Sequence, residues 1–296
     1  MSRGGSACVV ALATSNKVPD LTDDDRLLVD ALDVRGVHAV PAVWDHARED
    51  WTRYRAVVIR SCWDYHLKHD AFLAWLDHLD DARVLVLNPP ALVRWNSEKS
   101  YLRELAGLGI AVVPTRWVER DEVTSLALLR SETGWNQIVV KPAVSASAHE
   151  TWRSSSGSAR DDDARLAAMV SRGRVLVQPY LDVVAADGEW SLLFYGGVYS
   201  HAVLKRPHAN DFRVQHEHGG TSEVCEPSRD VIAAAARALV AAEEGRGAAL
   251  YARIDGCVID GAFVVMELEL IEPDLFLRSK TAAPDRLAGA LEQRLR

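Results

Sequence analysis

The feature that most constrains this chain is the alternation within its first ninety residues. Short aliphatic runs at 8–13, 56–59 and 84–87 read as strands. Between them, residues 23–34 and 70–79 place apolar side chains at helical spacing. Strands that alternate with helices imply a parallel sheet with helices on its faces. Asn88-Pro89-Pro90 then punctuates the chain as a boundary. At 296 residues the chain outgrows a single core. We therefore expect an α/β domain over 1–90, a small subdomain over 91–180 and a larger one over 181–296. In the second, 97–108 reads as one helix closed by Gly109, 123–130 as another, and 111–113 and 138–140 as strands. Residues 145–163 are polar and Ser-rich, and the remainder is strand-heavy around an Ala-rich helix at 230–244.

The chemistry concentrates in Met266-Glu267-Leu268-Glu269-Leu270. Strand residues two apart share a face, so Glu267 and Glu269 converge while their apolar neighbours turn away. Converging carboxylates repel unless a cation lies between them, and hard oxygen ligands suit Mg²⁺ carrying phosphates. The bland alternative is the solvent side of an amphipathic strand. Asp255, on a preceding strand, bears on the choice. A two-residue loop at Asp260-Gly261 sets Ile254 opposite Glu267, whereas a three-residue loop, Asp260-Gly261-Ala262, sets Asp255 there. We expect the second, which assembles three carboxylates with Arg253 one same-face step away. Lys141 ends a strand before the Ser-rich loop, placed to bind phosphate or to stand solvated. Lys205-Arg206 with Arg213 and Gly219-Gly220 forms either an anion site or a charged surface hairpin.

In order, these segments resemble the ATP-grasp superfamily, within its branch of glutathione synthetases and ribosomal-protein-modifying ligases, over roughly residues 93–276. Asn96-Ser97-Glu98-Lys99 and Val140-Lys141-Pro142 are similar to its two nucleotide-binding lysine motifs. Gln178, Tyr180 and Leu181 stand at the adenine hinge, and Glu189 at the ribose position. Arg206, Arg213 and Gly219-Gly220 match the order of groups beside the phosphates, and Asp255, Glu267 and Glu269 the metal motif. The resemblance implies an ATP-grasp fold behind a Rossmann-like N-terminal domain. It also implies ATP, two Mg²⁺ ions and an acyl-phosphate intermediate, with Arg253, Arg206 and Arg213 stabilising the transferred groups. The loop 143–149 carries Ser145 and Ser147 where the family has glycines, and Glu269 replaces a common asparagine. Ser191 stands where glutathione-forming enzymes carry a substrate arginine. The stretch Glu269-Leu270-Ile271-Glu272-Pro273 also resembles the cyclo-ligase of D-cycloserine biosynthesis, while the segment 213–220 looks more like the general peptide ligases. The expected reaction is carboxylate–amine ligation on a small amino-acid-like substrate, releasing ADP and phosphate. Ring closure and a non-catalytic ATP-binding module are the alternatives. Arg60-Ser61-Cys62-Trp63-Asp64-Tyr65, at a strand end, is where substrate contacts belong in such sheets.

A net charge of −8 argues against a nucleic-acid partner, which requires a basic face, though a local basic patch still suits phosphates. No apolar run reaches the ~20 residues of a membrane span, and the run at 8–13 is too short for a signal core. Scattered Cys8, Cys62, Cys225 and Cys257 point to a reduced cytoplasmic chain, for which a homodimer is the commonest assembly. Two further readings compete locally: a zinc site among His201, His208, His216 and His218, and Cys62 as a nucleophile.

Overall fold

The computed structural model describes residues 9–155, 160–208, 211–214 and 218–296; Cys8, His216 and Glu217 lie outside them. The N-terminal part runs β1 (Val9–Thr14), α1 (Asp23–Asp33), β2 (His38–Val43), β3 (Ala56–Ser61), α2 (His69–Asp81) and β4 (Val86–Leu87). Its strands form a wholly parallel sheet in the order β2-β1-β3-β4. Alternation along β1 sorts its side chains between two cores. Val10 and Leu12 pack on the side of Leu28 and Leu32 from α1, and Ala11 and Ala13 on the side of Phe72 and Leu76 from α2. The C-terminal helix α9 (Ala283–Leu295) completes the first core with Leu287 and Leu291. Strand β2 escapes the sequence reading because Pro41 interrupts it. It lies at the sheet edge, where a missing amide hydrogen is tolerated.

The helix expected over 97–108 starts only at Tyr101, as α4 (Tyr101–Gly107), and a separate helix not expected from the sequence, α3 (Pro90–Asn96), precedes it. The chain breaks between them because long-range bonds outbid the helical ladder. The Lys99 amide donates to the Ala143 carbonyl at 2.8 Å. Asn96 donates to the Leu268 carbonyl (2.7 Å) and accepts from the Leu270 amide (2.9 Å). A four-stranded antiparallel sheet follows, ordered β5 (Arg116–Val118), β8 (Val175–Pro179), β6 (Ile138–Pro142), β7 (Trp152–Ser154). Helices α5 (Leu126–Thr133) and α6 (Arg160–Arg172) cover it around a separate core. Residues 111–113 make an isolated bridge at Val112–Val265 in place of the expected strand.

After the short α7 (Asp182–Ala186) come β9 (Glu189–Tyr195), β10 (Val198–Arg206), β11 (Thr221–Val224), α8 (Arg229–Glu243), β12 (Tyr251–Ile259) and β13 (Ala262–Glu269). The five strands form an antiparallel sheet ordered β11-β10-β9-β12-β13. Its Leu192, Ile254 and Leu268 share one core with α8 and with Tyr101, Leu102 and Leu105 of α4. Among the described residues no helix is long and apolar enough to cross a membrane.

Asp255 does stand opposite Glu267, but not through a three-residue loop. The turn is the two-residue one: Ile259 pairs with Ala262, and Asp260 and Gly261 both have positive φ (50° and 80°), as a type I′ turn requires. A β-bulge supplies the missing residue. Gly256 pairs with Val265 while Asp255 pairs with Glu267, so Met266 is the extra residue that shifts the register. The close approach at this bulge needs Gly256, because a Cβ there would lie 2.4 Å from the Val264 carbonyl oxygen. Gly256→Ala is therefore expected to destabilise the protein by at least ~2 kcal/mol in urea denaturation. A loss below ~0.5 kcal/mol would show that the strands part freely at the bulge.

Candidate active site

One face of the five-stranded sheet gathers the charged side chains. Pairing sets Arg253 opposite Glu269 and Asp255 opposite Glu267 on one side, and Asp255 opposite Ser191 on the other. A further strand away, Glu189 faces Lys205. This face forms the floor of a cleft of about 340 Å³. The four-stranded sheet contributes Lys141 and Gln178, the loop after β6 contributes Ser145 and Ser147, and the N-terminal domain contributes Trp63 and Tyr65. Lys99, Tyr180, Leu181 and Arg213 also line it.

The contacts show how charge is balanced. Lys99 Nζ bonds the Ser145 carbonyl (2.6 Å), the Ser145 hydroxyl (3.1 Å) and Glu267 (3.0 Å), tying the Ser-rich loop to β13. Asp255 accepts from Ser191 (2.6 Å) and Lys205 (3.1 Å), and pairs with Arg253 at 2.9 Å. Arg253 also bonds Glu269. Lys205 pairs with Glu189 at 2.6 Å. Burial opposes the charge on Asp255, yet Arg253 and Lys205 outweigh it and hold the carboxyl at about 2. Glu267 likewise stays below the usual range, because Lys99 and Lys141 overcome its burial. Glu269 is different: burial, with Asp255 and Glu267 adding to it against Arg253, pushes it up to about 7. Burial and the Glu269 charge push Glu272 up to about 8. Burial, then neighbouring Lys99, lowers Lys141, which forms no ion pair among the described residues. Arg213 is held by Asp211 at 2.7 Å.

The donors fit a phosphate-carried magnesium ion. Among the described residues no three His, Cys, Asp or Glu side chains converge tightly enough to hold a metal by themselves. Mg²⁺ does not ask for that, since it binds through one or two carboxylates and completes its shell with phosphate oxygens and water. Burial is the main cause of the raised Glu269, and a divalent cation there would oppose it together with the smaller contributions of Asp255 and Glu267.

Of the side chains singled out in the sequence, Lys99, Lys141, Ser145, Ser147, Gln178, Tyr180, Leu181, Glu189, Arg213, Arg253, Asp255, Glu267 and Glu269 all line the cleft. Arg206 does not: it sits at the end of β10, exposed, 3.6 Å from Glu223 on the neighbouring strand. Strand alternation turns Lys205 inward in its place, the member of the Lys205-Arg206 pair to which the sequence reading gave no role of its own. Parity alone does not choose between them, since Lys205 aligns with buried Val203 and Arg206 with buried Ala202 and Leu204. The choice required knowing which face meets the cleft. Cys62 is fully buried and its thiol is pushed well above the usual range by burial, as a packed side chain rather than a nucleophile. His201 is buried beside Tyr195, and His216 of the same zinc reading lies outside the described residues.

A parallel domain, an antiparallel lid and an antiparallel floor closing on lysines and carboxylates make this an ATP-grasp ligase. The ATP-grasp ligase PsnB, complexed with minimal precursor, Mg and ADP, shares the fold at a TM-score of 0.64 and 17% identity, over 98% of each chain. A family model described as the N-terminal domain of D-cycloserine synthetase DcsG matches residues 10–88. The cycloserine biosynthesis protein DcsG of Streptomyces lavendulae is 31% identical over 97% of this chain and 99% of its own length. The crystal structure of D-cycloserine synthetase DcsG superposes with a TM-score of 0.87 at 30% identity, covering 97% of this chain and all of the other (100%). The chain belongs to the DcsG family of ATP-grasp ligases.

Proposed function

We propose that this ligase closes an amino acid onto a nitrogen of its own side chain, in the manner of D-cycloserine formation, instead of joining two molecules. The observation that carries this is full-length similarity to DcsG that includes the N-terminal domain. That domain supplies the Trp63 and Tyr65 wall of the cleft, where substrate identity is decided.

A carboxylate resists attack because oxide is a poor leaving group. Transfer of the γ-phosphoryl group to one carboxylate oxygen makes that oxygen part of a phosphate. The side-chain nitrogen then bonds to the acyl carbon, the C–O bond to phosphate breaks, and the nitrogen loses its proton. Gln178, Tyr180 and Leu181 bind the adenine and Glu189 the ribose. Lys99, Lys141 and Arg213, with Ser145 and Ser147, cradle the phosphates. Arg253 stabilises the charge that develops on the acyl phosphate. Asp255, Glu267 and Glu269 would hold two Mg²⁺ ions, which supply charge neutralisation on the nucleotide phosphates. Arg206 has no place in this scheme.

The test is incubation with ATP, Mg²⁺ and D-amino acids whose side chains end in a nitrogen nucleophile, following ADP release and product mass. The expected product is a ring built from one substrate molecule per ADP. A linear amide built from two molecules would replace ring closure by intermolecular ligation.

A further inference from the structure

The segment that follows β13 is irregular, yet its backbone is held at every step. The Ile271 carbonyl accepts from Tyr251 Oη at 2.7 Å, and the Glu272 carbonyl from Trp63 Nε1 at 3.1 Å. The Pro273 carbonyl accepts from Arg60 Nη2 at 2.9 Å, and the Asp274 carbonyl from Arg253 Nη1 at 3.2 Å. Four consecutive carbonyls are thus pinned by side chains from β12 and from the end of β3. A peptide fixed this way presents its side chains with little freedom, as recognition requires. The side chain so presented to the cleft is that of Glu272, facing it together with Trp63, Tyr65 and Phe276. The other cleft glutamates have cationic partners: Glu189 has Lys205, Glu267 has Lys99 and Glu269 has Arg253. Glu272 has none among the described residues, and neighbouring Asp274 is turned to the Phe276 amide at 2.8 Å.

We propose that Glu272 is the specificity residue for the substrate's protonated amine, received between its carboxylate and the aromatic wall of Trp63, Tyr65 and Phe276. This rests on the reading of the chain as an amino-acid ring-closing ligase. Burial favours the neutral form of Glu272, and a cation received beside the aromatic faces draws out its carboxylate and pairs with it. Arg253, which lines the same cleft and holds the Asp274 carbonyl two residues further on, attracts the substrate's carboxylate. A zwitterion satisfies both, whereas a carboxylic acid lacking the amine leaves Glu272 desolvated and unpaired. Arg60 and Trp63 act as positioning residues, through the peptide they hold.

The test compares two rings by calorimetry on protein loaded with Mg²⁺ and ADP: D-cycloserine, and isoxazolidin-3-one, the same ring without the amine. Wild type is expected to favour D-cycloserine by about tenfold or more. Glu272→Gln should reduce that preference to within about twofold with ADP affinity unchanged, and Glu272→Asp should retain part of it. Equal affinity of wild type for both rings, or a preference that survives in Glu272→Gln, overturns the amine assignment alone. Binding of neither ring to the ADP-loaded protein overturns the ring-closing reading and this inference with it.

Discussion

Glu267→Gln is expected to lower substrate-dependent ADP release by about 10²- to 10³-fold with the fold intact. Glu267 is the point where three parts of the site meet. It lies opposite Asp255 across the bulged pair of strands, pairs with Lys99 at 3.0 Å, and through Lys99 reaches the Ser-rich loop. Lys99 and Lys141 keep it ionised despite burial, so it brings a full negative charge to the cleft. The amide isostere keeps the volume and the strand contacts but removes that charge. Magnesium would lose a ligand, and Lys99 would lose the anion that orients it toward the phosphates. Both losses fall on phosphoryl transfer more than on adenine binding. ADP affinity should therefore weaken modestly, while the Mg²⁺ concentration for half-maximal activity rises. A variant that keeps more than about a tenth of wild-type ADP release would remove Glu267 from the metal site.

A second large effect is expected on stability, from a residue outside the cleft lining. Asn88 opens the Asn88-Pro89-Pro90 sequence that reads as a boundary, yet its side chain is completely buried. Its amide donates to the carbonyls of Tyr251 (2.9 Å) and Leu270 (2.7 Å). Its carbonyl accepts from the amides of Leu250 (2.6 Å) and Tyr251 (3.3 Å). One side chain thereby joins the end of the parallel sheet to the start of β12 and the residue after β13. Asn88→Ala leaves two amides and two carbonyls without partners in a dry site. A loss of about 3–5 kcal/mol in urea denaturation is expected. Asn88→Asp should be no better, because a carboxylate would face two carbonyl oxygens where the amide donated. A cost below ~1 kcal/mol for Asn88→Ala would mean that these backbone groups find other partners.

Much of the architecture was legible in the chain itself. The strand–helix alternation before Pro90 specified a parallel sheet, and β1, β3, α1 and α2 form near where the apolar spacing places them. Glu267 and Glu269 share a face because strand periodicity allows nothing else. The cleft also collects Lys99, Lys141, Gln178 and Arg253 from distant parts of the sequence. The sheet and the paired glutamates are local signals, since the period of a pattern tells which side chains travel together, whereas Lys99 and Gln178 were implied by the ATP-grasp resemblance.

Tertiary structure decided what periodicity cannot carry. The helix expected over 97–108 starts four residues late because Asn96 and Lys99 bond to residues more than forty positions away, an interaction that local propensity does not record. Lys205, and not Arg206, faces the cleft because the sheet presents that side of β10 to it. The carboxylate register is the sharpest case. The assembly of three carboxylates pointed to Asp255 opposite Glu267, but the two-residue turn at Asp260-Gly261 by itself sets Ile254 there. The conflict is resolved by a bulge at Met266, made possible by the close approach at Gly256. A bulged residue looks like any other strand residue in sequence, and only its partner strand reveals that it is unpaired.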